Sequence, residues 1–172
     1  MADTCYPTLP YNFGSLPPEY CALERSRVIL LPVPYEQTTC FMGGTRLGPA
    51  AIVSASRNME LYDEELDCEV YHVGIHTMEE LETQMAGPQE MVRQVYEVIS
   101  SLLKQEKLVA LLGGEHSLSI GAVQAYSERH PMLSVLQLDA HADLRDNYQG
   151  APYSHASVMR RILEHAPAVQ VG

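Results

Sequence analysis

No run of eighteen or more apolar residues occurs in the chain, and the N-terminus MADTCYPTLPYNFGSLPPEY has neither a basic start nor an apolar signal core. Nothing in it argues for a membrane span or for export, and a cytoplasmic protein is expected. A disulfide framework is missing too. Cys5, Cys21, Cys40 and Cys68 are widely spaced and form no C-x-x-C pair, which predicts reduced thiols rather than bridges or a structural zinc site. Positive charge is scarce: 11 Lys and Arg face 22 Asp and Glu, a formal net charge of -11. A phosphate backbone needs basic counter-charge, so nucleic acid is not an expected partner, and a small cationic ligand is mildly favoured. Internal repeats and low-complexity segments are absent as well.

What is present is enough for one globular domain: 172 residues, 46% of them hydrophobic, read as a single unit spanning 1–172. Residues 1–24, with prolines at 7, 10, 17 and 18, predict an irregular arm. RVILLPV (27–33) is a buried strand whose Pro32 points to a sheet edge or a strand end. GPAAIVSASRNMELYDEEL (48–66) predicts a helix opened by Pro49, and CEVYHVGIH (68–76) a second strand that turns His72 and His76 to one side. GPQEMVRQVYEVISSLLKQ (87–105) carries Met91, Val95, Val98 and Leu102 at helical spacing. KLVALLGGEHS, LSIGAVQAYSERH, LSVLQLDAHAD, SHASVMRRILEHA and AVQVG then alternate strand and helix. That alternation predicts an α/β fold, with a parallel sheet between helical layers.

Two polar clusters follow apolar strands directly, GGEHS (113–117) and DAHAD (139–143). In open parallel sheets ligands gather beyond the carboxyl ends of strands, so the clusters are expected close together. In extended chain Asp139, His141 and Asp143 would share one face and repeat every ~6.7 Å, from a rise of roughly 3.3 Å per residue. Ionised carboxylates at the end of a buried strand are costly unless paired, and a metal ion offsets that cost directly. Asp and His suit a fairly hard divalent ion such as Mn²⁺. A salt-bridged turn is the structural alternative.

GGEHS, DAHAD, PYEQTT...GGTRLGPAAI (34–52) and YSHASVMRR (153–161) together resemble the ureohydrolase family, the arginase and agmatinase group, from about residue 28 onward. The resemblance implies a three-layer α/β/α fold around a central parallel sheet. It also implies a pair of Mn²⁺ ions and hydrolysis of a guanidino group to urea and an amine. Carried over by position, His116 would bind one manganese, His141 the other, Asp139 both, and Asp143 the first. His141 and Asp143 thus belong to the catalytic set, and His155 would shuttle protons. His155 also reads as a helix-start residue with Ser154 as cap. Glu115 stands where many relatives have Asp and precedes a ligand rather than being one. The segment LRDNYQGAPYSHAS (144–157) looks like that of agmatinases, which makes agmatine the expected substrate, with Asp146 or Tyr153 near its distal amine. A trimer or hexamer is implied by resemblance only.

One departure from the family pattern stands out. Its third metal motif, D-x-D, and a later glutamate are not found: after Asp143 the acids are Asp146 and Glu164. Asp139 and Asp143 offset only part of the charge of two divalent ions, so fewer than two ions are expected on this chain. The sequence therefore reads as roughly the N-terminal half of a ureohydrolase, incomplete toward the C-terminus. A noncatalytic remnant and another guanidino or formimino hydrolase, such as a guanidinobutyrase or arginase, are the alternatives.

Overall fold

Among the described residues, every strand pairs in parallel with its neighbour. The computed structural model describes residues 10–172, so Cys5 and the first nine residues of the expected arm lie outside the described residues. Strands β1 (Val28–Val33), β2 (Ile75–Thr77) and β3 (Leu108–Gly113) form one sheet in the order β2-β1-β3. Strands β4 (Val135–Leu138) and β5 (Ala168–Val171) form a second parallel pair. Between them run α2 (Gly48–Ser56), α3 (Pro88–Leu103), α4 (Ser119–Arg129) and α5 (Val158–Ile162), after a single turn α1 (Pro18–Cys21).

β1 alternates between two helical layers, as a strand covered on both faces must. Ile29, Leu31 and Val33 join Met91, Val95 and Ile99 of α3 and Ala125 of α4 in the main core. On the other face Pro32 lines a small cavity with Pro49 and Val53 of α2. α3 is helical for readable reasons: Pro88 fills the first turn, and Met91, Val95, Ile99 and Leu102, with Val92 and Leu103, are its buried stripe. A second cluster ties Val92 and Ile120 to Val158, Met159 and Ile162 of α5.

Several expectations need correction. Pro32 lies in the central strand, not at an edge. The carbonyls of Leu30 and Pro32 accept from Met78 and Leu81, so this side of β1 faces β2, which has already ended at Thr77. The missing proline N–H therefore costs no ladder bond. The expected helix over 48–66 stops at Ser56, and the chain then turns into an isolated bridge between Asp63 and Cys68. Asp63 accepts the N–H groups of Glu65 and Leu66, a local alternative to helix that Asp offers readily. The expected strand 68–76 is a 3₁₀ turn, Val70–Val73, before the short β2. His72, in that turn, stacks on Tyr20 and pairs with Glu69, and His76, in β2, meets the Cys21 carbonyl, so both rings reach α1. The arm is irregular but anchored. Asn12 bonds both ways with Leu16, which is buried, and Gly14 donates to Ser56 of α2.

α3 and α4 cross at Gly121. A Cβ there would sit 2.3 Å from the Val92 carbonyl oxygen and 3.0 Å from the Tyr96 nitrogen, backbone atoms that cannot swing aside. Gly121→Ala is therefore expected to destabilise the fold by about 1–3 kcal/mol, read as a lower urea midpoint at unchanged m-value. An unchanged midpoint would mean that the helices part without cost.

The two strand groups are not hydrogen-bonded to each other. A groove of about 520 Å³ lies between them, lined by residues of β3, α4, β4 and α5, among them Leu111, Val123, Leu136 and Met159. Leu136, Leu138, Val169 and Val171 of β4 and β5 are exposed, an apolar strand surface of the kind that ordinarily recruits cover. Among the described residues, no helix is long and apolar enough to cross a membrane. Cys21, Cys40 and Cys68 are free thiols.

Candidate metal centre

β1 and β3 run parallel, and the loops after β1, β3 and β4 come together around one cleft. The sequence there forces tight approaches. A Cβ on Gly114 would lie 2.1 Å from the Tyr35 carbonyl oxygen, the same oxygen that accepts the Glu115 N–H. Only glycine lets the loop after β3 lie against the loop after β1. His116 then opens a 3₁₀ turn leading into α4.

His116 Nδ1 lies 2.8 Å from Asp143 Oδ2 and 3.5 Å from Asp139 Oδ2. His116, Asp139 and Asp143 each offer a ligand atom within 4.8 Å of the others. These donors fit a divalent cation of the harder kind: two carboxylate charges balance one dication, and a neutral imidazole completes the set. Nothing soft lies in the triad itself.

The expected extended run over 139–143 is not formed. β4 ends at Leu138, and Asp139 Oδ1 takes both the His141 N–H, at 2.8 Å, and His141 Nδ1, at 3.0 Å. This local turn breaks the alternation, and Asp143 ends it with φ +49°. His141, 80% exposed, therefore sits beside the triad rather than in it. Asp143 has two jobs. Its side chain faces His116, while its carbonyl accepts the N–H groups of Met159 and Arg160 at the start of α5.

The His141 N–H holds the Asp139 carboxyl below its ordinary value, with His141 and His116 assisting. A depressed carboxylate contributes above its unfolded pKa, ~3.9, and that contribution fades as pH falls through the lowered value. The turn at 139–141 is therefore expected to persist at neutral pH and to loosen in acid.

His155 lies across the same opening. Its backbone N–H donates to Thr38 Oγ1 at 3.0 Å, its Nδ1 is 3.2 Å from that oxygen, and its Nε2 is 3.7 Å from Cys40 Sγ. Tyr148 stands edge-on to the ring. Ser154 does not cap the turn with its side chain; its hydroxyl meets that of Ser157. The triad, His141, His155, Cys40, Arg145 and Tyr148 all line one cleft of about 970 Å³.

Asp146 and Tyr153 do not line it. Asp146 pairs with Arg160 and Arg161, drawn there by two successive charges on α5, and Tyr153 packs on the second core cluster. Glu115, read from the sequence only as the residue before a ligand, belongs to the wall instead. Glu115 is 3% exposed and accepts from Gln37, Thr38 and Ser117. Its signal was available: a charged residue placed directly after an apolar strand and two glycines. Thr38, Cys40 and Tyr148 carried no signal in the sequence, since only the fold brings them to His155.

The chain matches known proteins over the same segments. N(1)-aminopropylagmatine ureohydrolase of Thermus thermophilus is 43% identical over 150 residues, 87% of this chain and 51% of that protein. Agmatinase of Bacillus cereus is 32% identical over 143 residues, 83% and 49% of the two chains. The chain thus spans about half the length of the curated relatives it matches. Agmatine ureohydrolase of Thermoplasma volcanium superposes with a TM-score of 0.77 at 28% identity, over 83% of this chain and 47% of that one. Proclavaminate amidino hydrolase of Streptomyces clavuligerus gives 0.80 at 27%, over 96% and 56%. Residues 26–172, which hold all of the strands and the whole candidate centre, match the arginase family model, and the chain belongs to the arginase family.

Proposed function

We propose that this chain is the metal-binding half of a ureohydrolase that splits a guanidino group into urea and an amine, with agmatine or an aminopropyl-substituted agmatine as substrate. The convergence of His116, Asp139 and Asp143 carries the reading, in a chain of this family. His116, Asp139 and Asp143 would hold manganese, and His141, already turned on Asp139, would complete the neighbouring position. Bound metal of this kind supplies a water that is readily deprotonated near neutral pH and a Lewis acid for the carbon under attack.

The chain's own residues do the rest. His155, with Nε2 toward the cleft, takes up a proton and returns it to the departing amine. Phe41 and Leu144, both exposed, supply the apolar part of the wall. The substrate names of the relatives favour a decarboxylated guanidine over arginine, and Asp146 no longer serves as an anchor for its distal amine.

The test joins the chain in frame to the C-terminal half of the Thermus thermophilus relative and loads the protein with Mn²⁺. Urea release from agmatine and N(1)-aminopropylagmatine is expected to exceed that from arginine and guanidinobutyrate by at least ~10-fold in kcat/KM. Arginine turned over as fast as either would overturn the substrate assignment. No urea from any of them would overturn the hydrolase reading.

A further inference from the structure

We infer that Glu115, acting through the Thr38 hydroxyl, holds His155 in the tautomer that carries its proton on Nδ1 and leaves Nε2 bare toward the cleft. The inference deepens the reading of His155 as the proton-handling side chain and rests on that reading for its purpose, though its test needs no turnover.

The argument is a count of protons. Glu115 Oε2 accepts the N–H groups of Gln37 at 2.6 Å and Thr38 at 2.7 Å, and backbone amides can only donate. Glu115 Oε1 accepts the hydroxyls of Thr38, at 2.7 Å, and Ser117, at 2.5 Å. Thr38 has one hydroxyl proton and spends it on Glu115. What remains on its oxygen is two lone pairs. One is taken by the His155 backbone N–H at 3.0 Å. The other faces His155 Nδ1 at 3.2 Å.

If Nδ1 were bare, two lone pairs would confront each other at that distance. A ring flipped by half a turn would set a carbon against the oxygen and forfeit the bond. Nδ1 therefore carries the proton, and a neutral imidazole has only one. Nε2 is left as an acceptor, and its neighbour is the thiol of Cys40 at 3.7 Å, a weak donor. Glu115 and Thr38 are in this sense positioning residues. They touch no reacting atom but decide which nitrogen can accept a proton in the cleft, as a second group behind a histidine commonly does.

The substitution Glu115→Gln makes the idea testable, because it keeps the shape and reverses the bonds from the Thr38 and Ser117 hydroxyls. The amide oxygen must stay on the two backbone N–H groups, which puts the NH₂ group against Thr38. Thr38 would then accept from the amide and turn its own proton to Nδ1, driving the imidazole proton to Nε2.

The experiment is long-range ¹H–¹⁵N NMR of the full chain at about pH 8, above the ordinary imidazole pKa of ~6.5, with His155 assigned by loss of its signals in His155→Gln. The wild type is expected to show protonated Nδ1 and unprotonated Nε2, and Glu115→Gln to exchange the two. Thr38→Ser should keep the wild-type pattern, and Thr38→Val should mix the tautomers. A wild type with its proton on Nε2, or a folded Glu115→Gln with the wild-type pattern, would overturn the inference. If Glu115→Gln does not fold, the Thr38 pair decides it: Thr38→Val matching Thr38→Ser would overturn it. An Nδ1-protonated wild type whose completed form hydrolyses no guanidine would leave the tautomer standing and remove only the proposed reaction.

Discussion

Mn²⁺ affinity of the chain is expected to fall by more than ~100-fold on His116→Ala, and by no more than ~10-fold on His141→Ala. The asymmetry follows from where the two rings lie. His116 Nδ1 is within 3.5 Å of an oxygen of each carboxylate in the triad, so its loss removes a ligand atom and leaves two like charges unbridged. His141 is exposed and acts on the triad through Asp139, orienting that carboxylate without joining the group. About one tightly held ion per chain is expected, since the triad balances one dication.

Asp143→Asn is the informative third variant. Asn tolerates positive φ, so the backbone carbonyl can still receive the first N–H groups of α5 while the charge is lost. Its affinity should fall with that of His116→Ala at unchanged thermal stability. Calorimetric titration with Mn²⁺ measures all three. Equal losses in His116→Ala and His141→Ala would move the ion away from the triad.

The second large effect concerns turnover. Urea release by the 172-residue chain alone, with Mn²⁺ and agmatine, is expected to be at least ~10³-fold below that of the chain joined to a relative's second half. After Asp143 the acids are Asp146 and Glu164. Both are engaged with arginines of α5, Asp146 with Arg160 and Arg161, and Glu164 with Arg161 at 3.0 Å. Neither lines the cleft that holds the triad. The groove between β3 and β4 has an unpaired strand edge on each side. Mn²⁺-dependent turnover by the chain alone, abolished in His141→Ala, would overturn this expectation.

The alternation of strands and helices could be read along the chain because each long element obeys its own period. The stripe of α3 and the apolar runs of β1, β3, β4 and β5 required no knowledge of partners. Failures fell where the local signal was short or ambiguous. Cys68 to His76 is apolar enough for a strand, but the chain needs a turn there to bring β2 beside β1. Pro32 stands at the end of β1, one of the two places expected, but in the central strand rather than at an edge, because position in a sheet is set by neighbours far along the chain.

The site divides in the same way. By itself the sequence determined the chemical identity of the donors, the family to which they belong, and that they follow strands whose ends meet. Composition and spacing suffice for that, because parallel strands leave few places for polar residues to gather. Only the tertiary structure decided which donors converge. His116 and Asp143, 27 residues apart, meet because the loops after β3 and β4 open on the same cleft, whereas His141, two residues from Asp139, is held on that carboxylate by a local turn and stays outside the converging triad. It also decided that Glu115 and Thr38, 77 residues apart, stand behind His155, since a proton's position depends on donors and acceptors that only folding brings into line.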